Sequence, residues 1–296
     1  MAVTQPNGSE FQPYRKLQAT TEAELRRILE ATAKAIQRRI AGLPIGVGGQ
    51  VRAAQLRVTL AAVNALLKQM WVGRINPLVE RAIRDSLQAA EDAIETLERV
   101  AYASLSDAAA ETLVRGLRAA GQSGLKSDAA RRARALSRRV FFNRALDDGR
   151  VEQIIRQGII SGLSAKELAA DVYKYVSPKA PGGASYAAMR LARTEINNAF
   201  HERQLLGANR PGVRAVKWNL SGSHRVPDLC NVYAAHGGDG EWPVGEVPEK
   251  PHPNCFCYLT YVMMEPDEFK NALARGDFDD ELDRRTKANL ARLGRL

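Results

Sequence analysis

A mainly α N-terminal region of long helices, followed by a small α+β C-terminal module with a short antiparallel sheet, is the fold class this chain predicts. Three observations carry that expectation. Ala, Leu, Arg and Glu dominate the first two thirds while aromatic residues make up only 6% of the 296 residues, a composition that favours helix over sheet. Apolar residues recur at helical spacing from Leu25 to Leu97. Every cysteine and histidine lies between His201 and Cys257, most of them in a Gly/Pro-rich segment bracketed by two apolar, strand-like runs.

Residues 1–20 are polar, with Pro and Gly, and read as a flexible arm ahead of a helical region over residues 21–177. Thr21 and Glu24 have capping-box spacing before the stripe Leu25, Leu29, Ala33, Ile36 and Ile40, so a helix is expected to start there. Glycines and Pro44 break it. A long periodic segment then carries Leu56, Leu60, Val63, Leu67 and Met70, and beyond Pro77 carries Ile83, Leu87, Ala90, Ile94 and Leu97. Pro77 is expected to kink or split that rod, because it removes an amide donor and crowds the preceding turn. Helices over 107–120 and 127–146 should be separated by Gly121 and Gly124, with Phe141 and Phe142 in the core. A second capping box, Ser164 with Glu167, opens a helix over 165–175.

The module is expected over residues 178–264, starting at the Pro178 and Pro181 linker. A helix over 184–206 carries Met189, Ile196 and Phe200 on one face together with Arg193, and Gly207 suits its C-terminal stop. Val216, Trp218 and Leu220 alternate as in a half-buried strand, and residues 255–264 are rich in β-formers. Two antiparallel strands closing a loop of about 30 residues is the simplest arrangement; so long an excursion implies something other than backbone pairing to hold it. Residues 265–296 read as an amphipathic helical tail.

The apolar fraction of 45% excludes a disordered chain, and no stretch approaches the roughly 18 apolar residues of a membrane span. The N-terminus lacks a secretory pattern, so a cytosolic protein is expected. Three cysteines are too few and too odd for a secreted disulfide framework, which leaves reduced thiols free to bind metal. A net charge of +10 favours polyanions or acidic protein partners. Arg131, Arg132, Arg134, Arg138 and Arg139 crowd one helix, a candidate nucleic-acid contact whose plainer reading is a solvated helix face.

His224, Asp228, Cys230, His252, Cys255 and Cys257 are the candidate metal ligands, since zinc takes four tetrahedral ligands from thiolate, imidazole and carboxylate. Buried free thiols and hydrogen-bonded imidazoles are the plain alternative. His252 and Cys255 are three apart across a proline turn; Cys255 and Cys257 would share one strand face, so both reach one ion only if the strand start bends. His236, beside Gly237 and Gly238, sits at a flexible tip and is a weaker candidate.

The ordered set formed by Arg193, Thr194 and Glu195 on a helix, Trp218 on a strand, Asp228 and Cys230, then His252, Pro253, Asn254, Cys255 and Cys257 resembles the C-terminal signature of the head-morphogenesis family of tailed phages, the minor head proteins similar to protein F of phage Mu. The resemblance covers residues 184–262 and implies a few-copy structural protein of the virion head that contacts the portal protein, capsid proteins or packaged DNA, assembled in the host cytoplasm. It also implies structural anchor roles for Arg193, Glu195 and Trp218. Many members carry a Cys-x-x-Cys ahead of the last motif. Here Tyr233 stands where the second cysteine would fall, which leaves His224 or Asp228 to replace it in a zinc site.

The main rival is a zinc-dependent nuclease or other DNA-processing enzyme, for which Asp239, Glu241 or Glu246 would have to supply a general base. A fused toxin or transferase is a weaker rival. Arg193 and Glu195 point in different directions on a helix and do not pair with each other. Arg193 is expected to anchor the loop through Asp228 or a carbonyl.

Overall fold

The computed structural model describes residues 12–44, 55–101, 107–179 and 181–278, without the side chains of 97, 98, 100, 101 and 107–123. The elements are α1 (Gln12–Ala41), α2 (Leu56–Met70), a π-helical turn (Trp71–Ile75), α3 (Asn76–Ala101), α4 (Asp107–Ile160), α5 (Ala165–Val176), α6 (Gly183–Gly207), β1 (Val213–Asn219), α7 (Leu229–Ala234), a 3-10 turn (His236–Gly238), β2 (Glu241–Pro243), β3 (Tyr258–Met263) and α8 (Pro266–Ala274). Long helices therefore precede a small sheet. The chain divides into two compact units, residues 18–82 with 131–195, and residues 1–17 with 83–130 and 196–296.

In the unit of residues 18–82 and 131–195, the core is the stripes the periodicity marks. Leu25, Leu29, Ala33, Ile36 and Ile40 of α1 are fully buried, as are Val63, Leu67 and Trp71, with Leu136, Val140, Val151 and Ile155 from α4 and Leu168 and Val172 from α5. Helix α1 does not begin at Thr21: residues 12–20 are already helical, Thr21 is a buried interior residue, and Glu24 pairs with Arg81 at 2.9 Å. The capping spacing at Thr21 was local, and packing overrode it. The box at Ser164 is present, with the Glu167 amide and carboxylate both bonded to Ser164.

Pro77 lies where the rod changes: α2 ends at Met70 and α3 starts at Asn76, with the π-helical turn between them. The π-turn at Trp71–Ile75 precedes it and resets the hydrogen-bond ladder where the missing proline amide would break it. Asp147 is a buried polar group with a partner for each of its oxygens. Asp147 accepts the Trp71 indole N–H at 2.8 Å and the Tyr175 hydroxyl at 2.7 Å. Burial pushes the Asp147 carboxyl above its ordinary value, partly offset by those two bonds. Phe141 and Phe142 do not belong to the core; they are 66% and 62% exposed, on the face of α4 opposite Val140 and Asp147.

In the unit of residues 1–17, 83–130 and 196–296, Ile83, Leu87, Ala90 and Ile94 of α3 and Phe200 and Leu205 of α6 are buried. Glu91, also buried, accepts Arg203 Nε at 2.7 Å and Arg210 Nη2. The expected break at residues 121–124 is absent, since α4 runs through it. Gly124 is there for room: a Cβ at this position would lie 3.2 Å from Arg203 Nη1. Gly207 ends α6, yet not through a left-handed turn. Its missing side chain admits Ile94 Cδ1 and the Tyr261 hydroxyl, which a Cβ would meet at 2.4 and 2.7 Å.

The sheet has the order β2-β1-β3, antiparallel throughout. Val216 pairs with Trp242 on one side and Tyr261 on the other, and Trp218 with Leu259. Val216 and Trp218 are buried on the face that packs with Leu205 and Ala208, as the alternation predicts. Gln204 of α6 ties in β3, donating to the Leu259 carbonyl at 2.8 Å, while its own carbonyl accepts the Tyr261 hydroxyl at 2.6 Å. Two expectations change here. The loop between β1 and β3 holds α7, a 3-10 turn and the short strand β2, and β3 begins at Tyr258, so Cys255 and Cys257 precede it in irregular backbone.

Candidate metal centre

Three chain segments bring the thiols together. The first is the entry to α7. Asp228 is its N-cap, its Oδ1 accepting the Cys230 amide at 2.7 Å while its own amide donates to Asn231 Oδ1 at 2.9 Å, a reciprocal capping box. That cap fixes Cys230 in the first turn with its side chain fully buried. The second is the turn before β3, where Asn254 adopts φ 61, the one left-handed non-glycine among the described residues. Asparagine tolerates that conformation better than most residues, and the resulting bend turns Cys255 and Cys257 into the same core. The third is the turn at Ser221, whose carbonyl accepts the His224 amide at 2.9 Å.

Cys230 is the centre. Its Sγ lies 3.5 Å from Cys255 Sγ and 3.5 Å from His252 Nε2, and Cys257 Sγ lies 3.9 Å from His224 Nδ1. Among the described residues two triplets have ligand atoms within 4.8 Å of one another, His224 with Cys230 and Cys257, and Cys230 with His252 and Cys255. Tetrahedral zinc with Zn–S of about 2.3 Å and Zn–N of about 2.0–2.1 Å has edges of about 3.8 Å between sulfurs and about 3.5 Å between sulfur and nitrogen. These separations are close to those of a ligand shell, so the cluster can hold a metal ion.

The imidazoles are oriented for the same task. Asn231 Oδ1 already accepts the Asp228 amide, so it is an oxygen, and His224 Nε2, 2.8 Å away, must donate to it. That leaves the lone pair of His224 on Nδ1, the atom facing Cys257. His252 Nδ1 stands 2.9 Å from the Pro253 carbonyl and donates to it, which leaves Nε2 toward Cys230. The His224 ring has its outer nitrogen held by a protein acceptor and its inner one aimed at a thiol, the arrangement that fixes tautomers in metal sites, whereas His252 Nε2 is shared between Cys230 and the nearer Asp228 carboxylate and would give up a proton to bind a metal. Asp228 Oδ2 is also 3.0 Å from His252 Nε2, and Oδ1 is 3.7 Å from His224 Nε2. Burial alone would raise the Asp228 carboxyl; the Cys230 amide and the two imidazoles bring it below its ordinary value. Asp228 thus sits at the rim of the cluster as cap and imidazole partner.

Three thiols this close do not ionise alike. Cys255 is brought down to about 5 because Cys257 donates to it, against the opposing effect of burial and with the help of the Lys250 ammonium. Burial first, then the charge on Cys255, pushes Cys230 up to about 12, and the donation to Cys255 together with burial raises Cys257. One thiolate is shared by two thiol donors, whose protons a divalent cation would displace. Lys250, whose ammonium donates to the Cys255 carbonyl at 3.1 Å and to that of Cys257, supplies a positive charge beside the sulfurs and is itself shifted down by burial.

The remaining candidate residues fall elsewhere. Trp218 is buried in the core shared by the three cysteines, edge-on to His201 at 5.4 Å and to Tyr233 at 5.1 Å. Tyr233 is therefore a core aromatic, its carbonyl accepting the Trp242 indole at 3.0 Å. His236 lies outside the cluster, stacked on Trp242 at 3.7 Å. Arg193 does not anchor the loop through Asp228. It makes a two-pronged pair with Glu22 at 2.7 Å on each arm, and helix-to-helix charge pairing explains its burial. Glu195, 1% exposed, takes Arg139 and lies 4.0 Å from Arg132, so two members of the basic cluster serve an internal carboxylate. Lys250 and Asn231 escape a motif reading, with a lysine next to the Pro-His-Pro turn the only sequence signal for either, and Asn254 is read as part of the motif but not for its left-handed turn.

No helix among the described residues is long and apolar enough to cross a membrane. No family model, curated protein or solved structure matches this chain.

Proposed function

We propose that this chain is a structural minor head protein of a tailed phage or prophage, acting in head morphogenesis near the portal, with a zinc ion stapling its C-terminal module. The observation that supports it is convergence: of the residues that carry the resemblance to the head-morphogenesis signature, Trp218, Cys230, His252, Cys255 and Cys257 are spread over 40 positions yet meet in one small core and its rim, while Arg193 and Glu195 pair with Glu22 and Arg139 instead. Such residues are explained as a staple. A four-ligand set of the three cysteines with one imidazole, His224 or His252, would need the two triplets, which share Cys230, to close around one ion, and a zinc ion so held would supply electrostatic cross-linking there and no chemistry. Lys250 balances the excess negative charge of three thiolates on a divalent ion.

The nuclease reading has less behind it. A hydrolytic zinc site needs an open position and a free general base. Asp228, the carboxylate beside the cluster, caps α7 and faces both imidazoles, while Asp239 accepts the Glu241 amide at 3.1 Å and Glu241 lies 3.7 Å from Arg214.

Mass spectrometry of purified particles is the test. The expected result is the chain present at low stoichiometry beside the portal protein, and particles that lack it would refute the head-protein reading. Metal analysis of the purified chain tests the staple separately: one zinc per chain is expected, lost on Cys255→Ala, and retained by whichever of His224→Ala and His252→Ala spares the fourth ligand.

A further inference from the structure

Helix α4 turns an uncovered apolar stripe to solvent. Phe141, Phe142 and Leu146 are 66%, 62% and 54% exposed, and Ala145 is exposed with them. These positions share one helix face, whereas Leu136, Val140 and Val151 lie on the opposite, buried face. Two adjacent phenylalanines left mostly in water forgo the gain of burial, which is available to whatever covers them.

The charges around the stripe are polarised. One and two turns toward the N-terminus the same face carries Arg138 and Arg134, both exposed and without an acidic partner among the described residues. Arg132 and Arg139, by contrast, serve Glu195. Toward the C-terminus the charges are neutralised along the helix, Arg144 with Asp148 at 3.2 Å and Arg156 with Glu152 at 2.6 Å. The face thus runs from a cationic end, through an apolar middle, to a neutral end.

We propose that this face docks an amphipathic helix of a partner protein, with leucine-like side chains at i, i+3, i+4 and i+7 and acidic residues at the end that meets Arg134 and Arg138. An apolar face offered for helix-on-helix packing fixes the first feature, and charge complementarity fixes the second. A second copy fits badly, because a symmetric antiparallel pair centred on Phe142 sets Arg134 against Arg150 of the copy, and a parallel pair sets Arg134 against itself. Nucleic acid fits badly too. Arg132 and Arg139 are turned to Glu195 and lost to phosphates, and Leu146 offers no plane for base stacking. This inference is independent of the head-protein reading.

The test uses the full chain and three labelled probes in fluorescence anisotropy: a synthetic helix with leucines at that spacing and glutamates at one end, its glutamate-to-lysine counterpart, and a single-stranded oligonucleotide. The glutamate helix should bind best, Phe141→Ser with Phe142→Ser should weaken it at least about tenfold, and Arg134→Glu with Arg138→Glu should transfer preference to the lysine helix. The serine pair should leave the melting curve unchanged, because both side chains are mostly solvated. The proposal is overturned if the serine pair leaves the glutamate helix bound as before, or if the charge reversal does not change probe preference. It is equally overturned if the oligonucleotide binds best and survives the serine pair, or if sedimentation finds a dimer that the serine pair dissolves.

Discussion

From α1 to the end of α6 and the turn after it, the buried side chains are mostly aliphatic and several buried carboxylates take arginines, Glu91 with Arg203 and Arg210, Glu195 with the half-exposed Arg139. Between β1 and β3 the balance is different. Within residues 220–257 the buried ones are Cys230, Gly240, Val247, Cys255 and Cys257, three thiols and a single branched aliphatic. Apolar area of that size cannot fix a segment of this length, because ordering each residue costs about 1–2 kcal/mol of backbone entropy. The difference teaches that one chain uses two sources of order. In the helices hydrophobic burial sets the fold and charges tidy it, whereas in the module a polar cluster has to do the ordering itself.

Metal removal should give the largest effect and break the comparison if it fails. Stripping with a strong chelator, or Cys255→Ser, should abolish hydrogen-exchange protection over residues 220–257 and alter the near-UV signal of Trp218 and Trp242, with the far-UV helical signal kept. Structural zinc in small modules is worth about 10–16 kcal/mol, ample to order such a segment. Acid should act in the same direction, since protons compete with the cation for Cys230, Cys255 and Cys257, so metal and protection are lost together as pH falls. Protection that survives quantitative metal loss would mean that Trp218 and Leu259 suffice.

Next in size is the loss of a buried partner among the helices. Glu91→Ala leaves Arg203 and Arg210, only 6% and 8% exposed, without their shared carboxylate, and Asp128 at 3.9 Å from Arg203 compensates poorly. Breaking such a pair costs about 3–5 kcal/mol, to be read as a lower urea midpoint of the far-UV signal. Glu91→Gln keeps an acceptor and should cost less. A loss under about 1 kcal/mol for Glu91→Ala would mean that hydrophobic burial alone carries this part of the fold.

The same contrast decides what could be read from residues alone. The stripe from Leu25 to Ile40 was legible because burial there follows the helical period, and the cysteines and histidines were legible because of their side-chain chemistry. Phe141 and Phe142 misled, because aromatic type suggested core while their phase, about 100° and 200° around the helix from Val140, placed them outside. Partners distant in sequence were illegible. Nothing near Arg193 named Glu22, and nothing near Cys255 said that Lys250 would donate to its carbonyl. Strand β2 is only three residues with a proline, below any pattern's reach, and exists because β1 offers it an edge.

The smallest effect separates local preference from packing within a single helix. Gly124 and Gly149 both lie inside α4, where each costs about 0.5–1 kcal/mol relative to alanine. A Cβ at Gly149 meets nothing within 4 Å, so Gly149→Ala should recover most of that and raise the unfolding midpoint. A Cβ at Gly124 would stand 3.2 Å from Arg203 Nη1, and the guanidinium it displaces is the one held by Glu91. Gly124→Ala should therefore gain less, or lose, because the helical preference is opposed by a shifted buried ion pair. In the background of Arg203→Met the flexible thioether yields to the new methyl, and the two glycines should then respond alike; continued disparity would show that Gly124 is required for something other than room for Arg203.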